Sequence, residues 1–171
     1  MPKTKSRAKF RIPRASAPRR IYYFGRMRVE GTREMGALLG VKGANLAEMA
    51  SIGLPVPPGF TISAEACAQF HANHQRLPEG LMDQVRQVMP TLEMETRRHY
   101  GGDGTPLLVS VRSGAGVTMP GILDSVLDIG LCDDLVDPLA GLAGHRFAWD
   151  CYRRLVEMFG VVVMGLPQDR F

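Results

Sequence analysis

The chain contains, at residues 107–130, the stretch LLVSVRSGAGVTMPGILDSVLDIG. Its first part is an apolar, β-branched run that ends at Arg112, which predicts a buried strand carrying a cation at its tip. A second strand-like run, residues 122–129, follows after a loop of small residues. The sequence therefore predicts two strands joined by a glycine-rich loop, and the other elements are expected to pack around them.

The loop between the two predicted strands has the composition of an oxyanion site. Its small or permissive residues are Ser113, Gly114, Ala115, Gly116, Thr118 and Gly121. Backbone N–H groups converge on a phosphate only where side chains leave room, and the guanidinium of Arg112 offers a planar fork of donors. The alternative is a β-hairpin with a solvated arginine and a loop that binds nothing. The loop chemistry by itself leaves both interpretations open.

Lys42 is a second candidate ligand for phosphate. It lies in Gly40-Val41-Lys42-Gly43, immediately before a predicted helix at residues 44–52. Beyond residue 20 the chain has thirteen basic residues, of which twelve are arginine and one is this lysine. A helix N-terminus favours anions, and a flexible ammonium suits several phosphate oxygens in turn. The sequence thus predicts that Lys42 and Arg112 face a common anion; the alternative is a surface lysine retained by chance.

The remaining pattern predicts an α+β protein. Strands are expected at residues 21–24 and 60–62, and helices at 64–74, 81–100, 133–143 and 146–159. Ser63 is the expected N-cap of the first of these helices. Pro90 is expected to break or kink the second, and Gly160 to end the last. Phe147 and Trp149 are assigned to the apolar side of the last helix, and residues 161–164 form a β-prone run expected to expose an apolar surface.

Length and composition are those of a globular protein. The 171 residues are 45% hydrophobic and 22% charged, enough for one domain or for one lobe of a larger domain. No apolar run is long enough to span a bilayer, which predicts no membrane partner. The three cysteines, Cys67, Cys132 and Cys151, have no CxxC spacing, which favours reduced thiols and a cytoplasmic location.

Residues 1–20 form a basic leader that is predicted to be disordered. It contains eight Lys/Arg and no acid, so residues 21–171 carry 13 basic and 17 acidic residues, a net charge of −4. Such a segment buries too little apolar surface to order itself. Organelle targeting and polyanion binding are its functional alternatives. Nucleic-acid binding is not inferred from it.

Cys67, His71 and His74 fall on one face of a predicted helix, which is a conceivable zinc-binding arrangement. A single helix rarely supplies a complete tetrahedral site, and no fourth ligand is evident nearby. The sequence therefore favours a partly buried helix face, and no metal ligand is assigned.

Three long motifs together resemble the N-terminal nucleotide-binding region of pyruvate, phosphate dikinases. They are GVKGANLAEMASIGLPVPPGFTIS (40–63), LLVSVRSGAGVTMPGILDSVLDIGL (107–131) and RFAWDCYRRLVEMFGVVVMG (146–165). The resemblance runs in order from about residue 21 to residue 171. The related phosphoenolpyruvate synthases share the general plan, but their arginine strand continues differently.

The resemblance implies that residues 21–171 are the N-terminal lobe, incomplete, of an ATP-grasp type nucleotide-binding domain. In that family Lys42 and Arg112 would contact the ATP phosphates, and the loop at residues 113–121 would close over the triphosphate. Two positions depart from the family pattern: Val41 stands where a glycine is usual, and Gly116 where an arginine is common.

The resemblance also implies an activity. The complete enzyme converts ATP, phosphate and pyruvate to AMP, diphosphate and phosphoenolpyruvate, and it requires Mg²⁺ with ATP. The second nucleotide-binding lobe with the magnesium ligands, the phosphocarrier histidine and the pyruvate domain are expected beyond residue 171. The chain alone is therefore expected to be inactive, with no catalytic residue of its own, and to need a complementing chain or to self-associate through residues 161–164. The competing hypothesis is a non-catalytic remnant or interaction module that keeps the fold.

Overall fold

The first half of the chain builds a two-stranded antiparallel sheet covered by helices. The computed structural model describes residues 18–102, 104–114 and 125–171. Strand β1 (Ile21–Phe24) pairs with β2 (Gly59–Ile62), so that Ile21 lies opposite Ile62 and Phe24 opposite Gly59. The helices are α1 (Gly36–Ser51), α2 (Ala64–Ala72) and α3 (Leu81–Thr96), and a short 3₁₀ turn, Arg33–Met35, precedes α1. Ser63 caps α2 as predicted, because its side chain accepts a hydrogen bond from the N–H of Ala66.

The second half repeats this plan with a second small sheet. Strand β3 (Val109–Arg112) pairs antiparallel with β4 (Ser125–Ile129), with an irregularity between Val109 and Val111. Helices α4 (Asp133–Ala143) and α5 (His145–Met158) follow, and α5 continues into a π-helical turn, Phe159–Val163. A 3₁₀ turn, Gln168–Arg170, comes last. Mixed helices and small antiparallel sheets agree with the predicted α+β class, whereas the ATP-grasp assignment stays a prediction.

Two hydrophobic clusters form the core of the described residues. The first gathers β1, α2, α3 and the start of the β3 strand, and its buried residues are Ile21, Tyr23, Ala66, Leu81, Val88, Leu92 and Leu107. The second joins α4 to α5 and consists of Leu131, Leu135, Val136, Leu139, Ala140, Ala148 and Cys151. Within the part of the chain that the structure describes, no helix is both long and apolar enough to cross a membrane.

The break that was one of the two effects predicted at Pro90, in the helix at residues 81–100, is absent. Helix α3 passes through Pro90 without interruption and ends at Thr96. Proline removes one backbone hydrogen bond, but Pro90 is exposed, so water can reach the carbonyl that loses its donor. Val88 and Leu92, on either side of it, are both 3% exposed. Burial of this apolar side therefore outweighs the local cost of the proline.

Two expectations for the end of the chain are also wrong. Gly160 does not end the last helix, and residues 161–164 do not form an extended β-prone segment, because the π-helical turn runs through Gly160 to Val163. Phe171 folds back onto Gly160, where an added Cβ would overlap the phenylalanine ring. The predicted apolar exposure is present, since Val163 is 57% and Met164 63% exposed.

Arg20, counted in the leader by its charge, is buried in the folded body. Its guanidinium donates to the side-chain oxygen of Gln69 at 2.9 Å and to the carbonyl oxygen of Glu79 at 3.1 Å. Its backbone N–H donates to the side chain of Gln84, and its carbonyl oxygen accepts from Ser63. Arg20 thus connects β1 to the start of α2 and to the start of α3.

Glu95, in the last turn of α3, makes the corresponding connection at the other end of β1. Its carboxylate accepts from the hydroxyl of Tyr23 at 2.8 Å and from the backbone N–H groups of Arg26 at 2.7 Å and Met27 at 3.2 Å. Gly25 makes room for it, because a Cβ there would lie 2.7 Å from a carboxylate oxygen. The side chain of Glu95 therefore accepts hydrogen bonds from two backbone N–H groups of the turn that follows β1.

We expect Gly130→Ala to destabilise the β3–β4 half by about 1–3 kcal/mol, because two effects coincide at this position. Gly130 has φ 107°, which L side chains rarely adopt, and its Cβ would lie 2.7 Å from the carbonyl oxygen of Leu107. Gly141→Ala, inside α4 with no atom within 4 Å of the added Cβ, is the matched control and should be neutral or stabilising. Urea unfolding followed by circular dichroism measures both; equal losses would contradict this explanation.

Candidate functional site

Lys42 lies just after a sharp break in α1. Gly40 has φ 70° and ψ 161°, which are not helical values, so the helix effectively begins again at the next residue. A helix N-terminus near Lys42 is therefore confirmed, but Lys42 lies inside α1 and not before it as predicted, and residues 36–39 on the other side of the break are helical as well. Lys42 occupies the first turn beyond the break, where backbone N–H groups have no helical acceptor.

Small residues bring this turn close to the β1–β2 sheet. A Cβ on Gly43 would lie 2.8 Å from the side chain of Thr61 in β2, and Ala44 and Ala47 are each 2% exposed. Lys42 itself is half-buried. Among the described residues, none forms a hydrogen bond or an ion pair with its ammonium. The turn that carries the lysine is thus held against the β1–β2 sheet while the charge of the lysine stays available.

Arg112 is the last residue of β3 and lies opposite Ser125 of β4. The expectation that β3 is a buried strand is wrong, since Ser110, Val111 and Arg112 are all exposed. The physical reason is that β3 has a single partner strand, and only its first residue, Val109, packs against the first cluster, next to Leu107, which precedes the strand. The predicted cation at the strand tip is present, and the described residues offer it no carboxylate partner.

That Lys42 and Arg112 face a common anion stays a prediction. Helix α1 packs on β1, β2 and α2, whereas β3 contacts β4. Two cavities in the described ranges, of about 440 and 280 Å³, lie along α5, and neither is lined by Lys42 or Arg112. Ser113 and Gly114 follow β3 and are exposed. The other predicted loop residues, Ala115, Gly116, Thr118 and Gly121, lie outside the described residues.

The described residues offer no magnesium or zinc site. No three His, Cys, Asp or Glu side chains among them lie close enough to share a metal ion. Helix α2 ends at Ala72, so His74, with φ 52°, is not on the helix face with Cys67 and His71. Mg²⁺ takes carboxylate and phosphate oxygens, and no set of the former converges here.

Helix α5 exposes an apolar surface that the sequence pattern does not predict. The sequence places Phe147 and Trp149 on the apolar side of the last helix, but that side is not buried at these positions, where the two side chains are 50% and 54% exposed. The buried side of α5 is instead formed by smaller residues, Ala148 and Cys151. The available signal was the presence of aromatic residues around most of the helix, more than one buried face can take.

Comparison with known proteins confirms the resemblance. Residues 36–96 match the family "Pyruvate phosphate dikinase, AMP/ATP-binding domain". The chain is 52% identical over 159 residues to a chloroplastic pyruvate, phosphate dikinase of Flaveria trinervia and 51% identical over 160 residues to chloroplastic pyruvate, phosphate dikinase 1 of Arabidopsis thaliana. It is 48% identical over 159 residues to pyruvate, phosphate dikinase 2 of Zea mays. Each match covers 93% of this chain, which takes in both Lys42 and Arg112.

The matched stretch is a small part of these relatives. The chain spans 17% of the length of the Flaveria and Arabidopsis proteins and 18% of the Zea mays protein. It is therefore similar to a part of pyruvate, phosphate dikinases over nearly all of its own length, and to their AMP/ATP-binding domain over residues 36–96. Two of the three relatives are chloroplastic by name, so the comparisons give no support to the predicted cytoplasmic location.

Proposed function

We propose that this chain binds ATP as part of a pyruvate, phosphate dikinase, with Lys42, Arg112 and the loop at residues 113–121 as its phosphate ligands. The match of residues 36–96 to a dikinase AMP/ATP-binding domain carries the proposal, because that range contains the break at Gly40 and Lys42. The reaction of ATP, phosphate and pyruvate is proposed for the whole dikinase. That the 171 residues alone are inactive stays a prediction.

The electrostatics of the first turn after Gly40 support this proposal. A cation near a helix N-terminus is unfavourable by itself, because the helix dipole places partial positive charge there. An anion bound at this point would interact favourably with both the N–H groups and the ammonium. Phosphate therefore accounts for the otherwise unfavourable position of the only lysine in residues 21–171.

Arg112 supplies a second type of donor in the proposed site. Its planar guanidinium forms paired hydrogen bonds to phosphate oxygens, whereas the ammonium of Lys42 acts as a compact point charge. Phosphoryl transfer needs cations around developing charge more than it needs a nucleophilic side chain. Mg²⁺ would arrive with ATP and neutralise part of the triphosphate charge; its protein ligands are not assigned to this chain.

Isothermal titration calorimetry with Mg-ATP tests the proposal. We expect saturable binding that weakens with salt, and we expect Lys42→Ala and Arg112→Ala each to raise the Kd about tenfold, the loss of one charged hydrogen bond. Arg76→Ala, an exposed arginine in the segment after α2, is the charge-matched control and should leave the Kd unchanged. No heat of binding for the unmodified chain would support the competing hypothesis of a non-catalytic remnant.

A further inference from the structure

The last three residues of the basic leader are fixed to helix α3 through Gln84. The side-chain oxygen of Gln84 accepts a hydrogen bond from the backbone N–H of Arg20 at 2.8 Å, and its side-chain nitrogen donates to the carbonyl oxygen of Pro18 at 2.9 Å. In an extended chain, two such backbone groups on either side of one residue face the same way. The amide of Gln84 therefore binds this stretch of backbone with both of its polar atoms, as a neighbouring strand would.

The sheet holds the same stretch through the carbonyl group of Arg20. Its oxygen accepts from the backbone N–H of Ser63 at 2.9 Å, directly next to the pair that Ile21 and Ile62 form in the β1–β2 ladder. The guanidinium of Arg20 is bonded as well, and the residue is 7% exposed. Residue 20 is therefore bonded through its N–H, its carbonyl and its side chain, and it lacks the freedom that residues near a chain end usually have.

The side chain of Arg19 is exposed, but it is bound as well. Its Nε donates to the carbonyl oxygen of Ile21 at 3.1 Å. Its guanidinium pairs with Glu30 at 2.5 Å and lies 4.7 Å from the centre of the Tyr22 ring. A protease specific for basic residues has to take the arginine side chain into its own pocket. The peptide bonds after Arg19 and Arg20 are therefore open to such a protease only after these contacts are released.

We propose that Gln84 sets the limit to which a protease can remove the basic leader. The bonds after Arg19 and Arg20 are protected, so the hydrolysis that trims the leader has to occur before Pro18. Such trimming is required if the leader directs the chain to an organelle. Six of the eight basic residues of the leader precede Pro18, and no acid does, so removal of residues 1–17 lowers the formal net charge of +4 by six, to −2. Every contact of residues 18–20 given above is kept. The proposal does not depend on nucleotide binding.

Limited trypsin digestion of the full chain tests this limit, with mass spectrometry of the new N-termini as the readout. We expect almost no product that begins at residue 20 or 21 while the rest of the chain is intact. Gln84→Met keeps a side chain of similar length on α3 but removes both hydrogen bonds, so it should raise the rate of cleavage after Arg19 and Arg20 at least about tenfold. Gln87→Met, at an exposed glutamine of the same helix, is the matched control and should leave that rate unchanged.

Cleavage inside α5 distinguishes a local release of residues 18–20 from unfolding of the whole chain. We expect Gln84→Met to leave the rate of cleavage after Arg146 and Arg153 unchanged, because neither residue contacts the leader through a hydrogen bond or an ion pair among the described residues. An unmodified chain that is cut after Arg19 or Arg20 as fast as the Gln84→Met chain would overturn the proposal. So would a Gln84→Met chain in which cleavage inside α5 rises by the same factor.

Discussion

Replacing Arg20 with methionine will lower the free energy of unfolding by about 3–6 kcal/mol, because two hydrogen bonds from a buried cation are lost at about 1.5–3 kcal/mol each. Arg20 is 7% exposed, and its guanidinium donates to Gln69 and Glu79. Methionine keeps the apolar stem of the side chain, so the change removes chiefly the donors. The backbone bond from residue 20 to Gln84 is left intact.

Arg19→Met is the matched control for this experiment. Arg19 is 51% exposed in its side chain, pairs with Glu30 and lies over the ring of Tyr22. A solvent-exposed ion pair contributes about 0–1 kcal/mol, so the control should change stability by no more than that. Urea unfolding of the two variants separates them. Equal losses at residues 19 and 20 would show that the buried network of Arg20 is not what stabilises the fold.

Arg20 shows what composition cannot reveal. By charge it belongs to the basic leader, since all eight Lys/Arg of residues 1–20 occur without an acid. Its burial depends on Gln69 and Glu79, which lie 49 and 59 residues further along the chain. No local pattern encodes that contact. The boundary between the basic leader and the folded body therefore lies at a different residue when it is drawn from charge than when it is drawn from packing.

Elements with local signals were predicted accurately. β1 follows from the run Ile21–Phe24, α2 begins at its Ser63 cap, and α4 runs from Asp133 to Ala143 as expected. These elements start or stop at residues whose own chemistry fixes the boundary. Pro90 is the counterexample: it has a strong local signal, but the packing of Val88 and Leu92 against the core overrides it.

The candidate site was predictable to the same extent. The helix start at Gly40 is local, because only glycine adopts φ 70° with ψ 161° at low cost. The exposure of β3 cannot be predicted from its own sequence. The run Val109–Arg112 is equally compatible with a buried central strand and with one strand of an exposed two-stranded hairpin. Whether Lys42 and Arg112 share an anion depends on the loop at residues 113–121, most of which lies outside the described residues.

Glu95→Gln will cost about 3 kcal/mol of folding free energy at pH 7, because it replaces a charged acceptor of three hydrogen bonds by a neutral amide. An amide has one acceptor oxygen and an NH₂ group that would face the donors of Tyr23, Arg26 or Met27. Tyr23 is fully buried, so its hydroxyl has no access to water as a substitute. Burial, and then the hydrogen bond to Glu95, raise the pKa of Tyr23.

The loss of stability caused by Glu95→Gln will depend on pH, because the environment of Glu95 shifts the pKa of its carboxyl group. Burial raises the pKa of its carboxyl group, but the hydrogen bonds from Arg26, Tyr23 and Met27 together hold that pKa below its ordinary value of 4.5. Because the folded pKa is lower than the unfolded one, the ionised group stabilises the fold above pH 4.5. That contribution is lost as the pH falls through the folded pKa.

The difference in stability between the unmodified chain and Glu95→Gln should therefore be largest above pH 4.5 and shrink as the pH falls below it. Urea unfolding at a series of pH values from about 7 down to 3 measures this difference. Glu65→Gln, an exposed glutamate in the first turn of α2, is the control and should give a small difference over the same range. A Glu95→Gln difference that stays constant with pH would mean that the carboxylate charge does not hold the turn after β1.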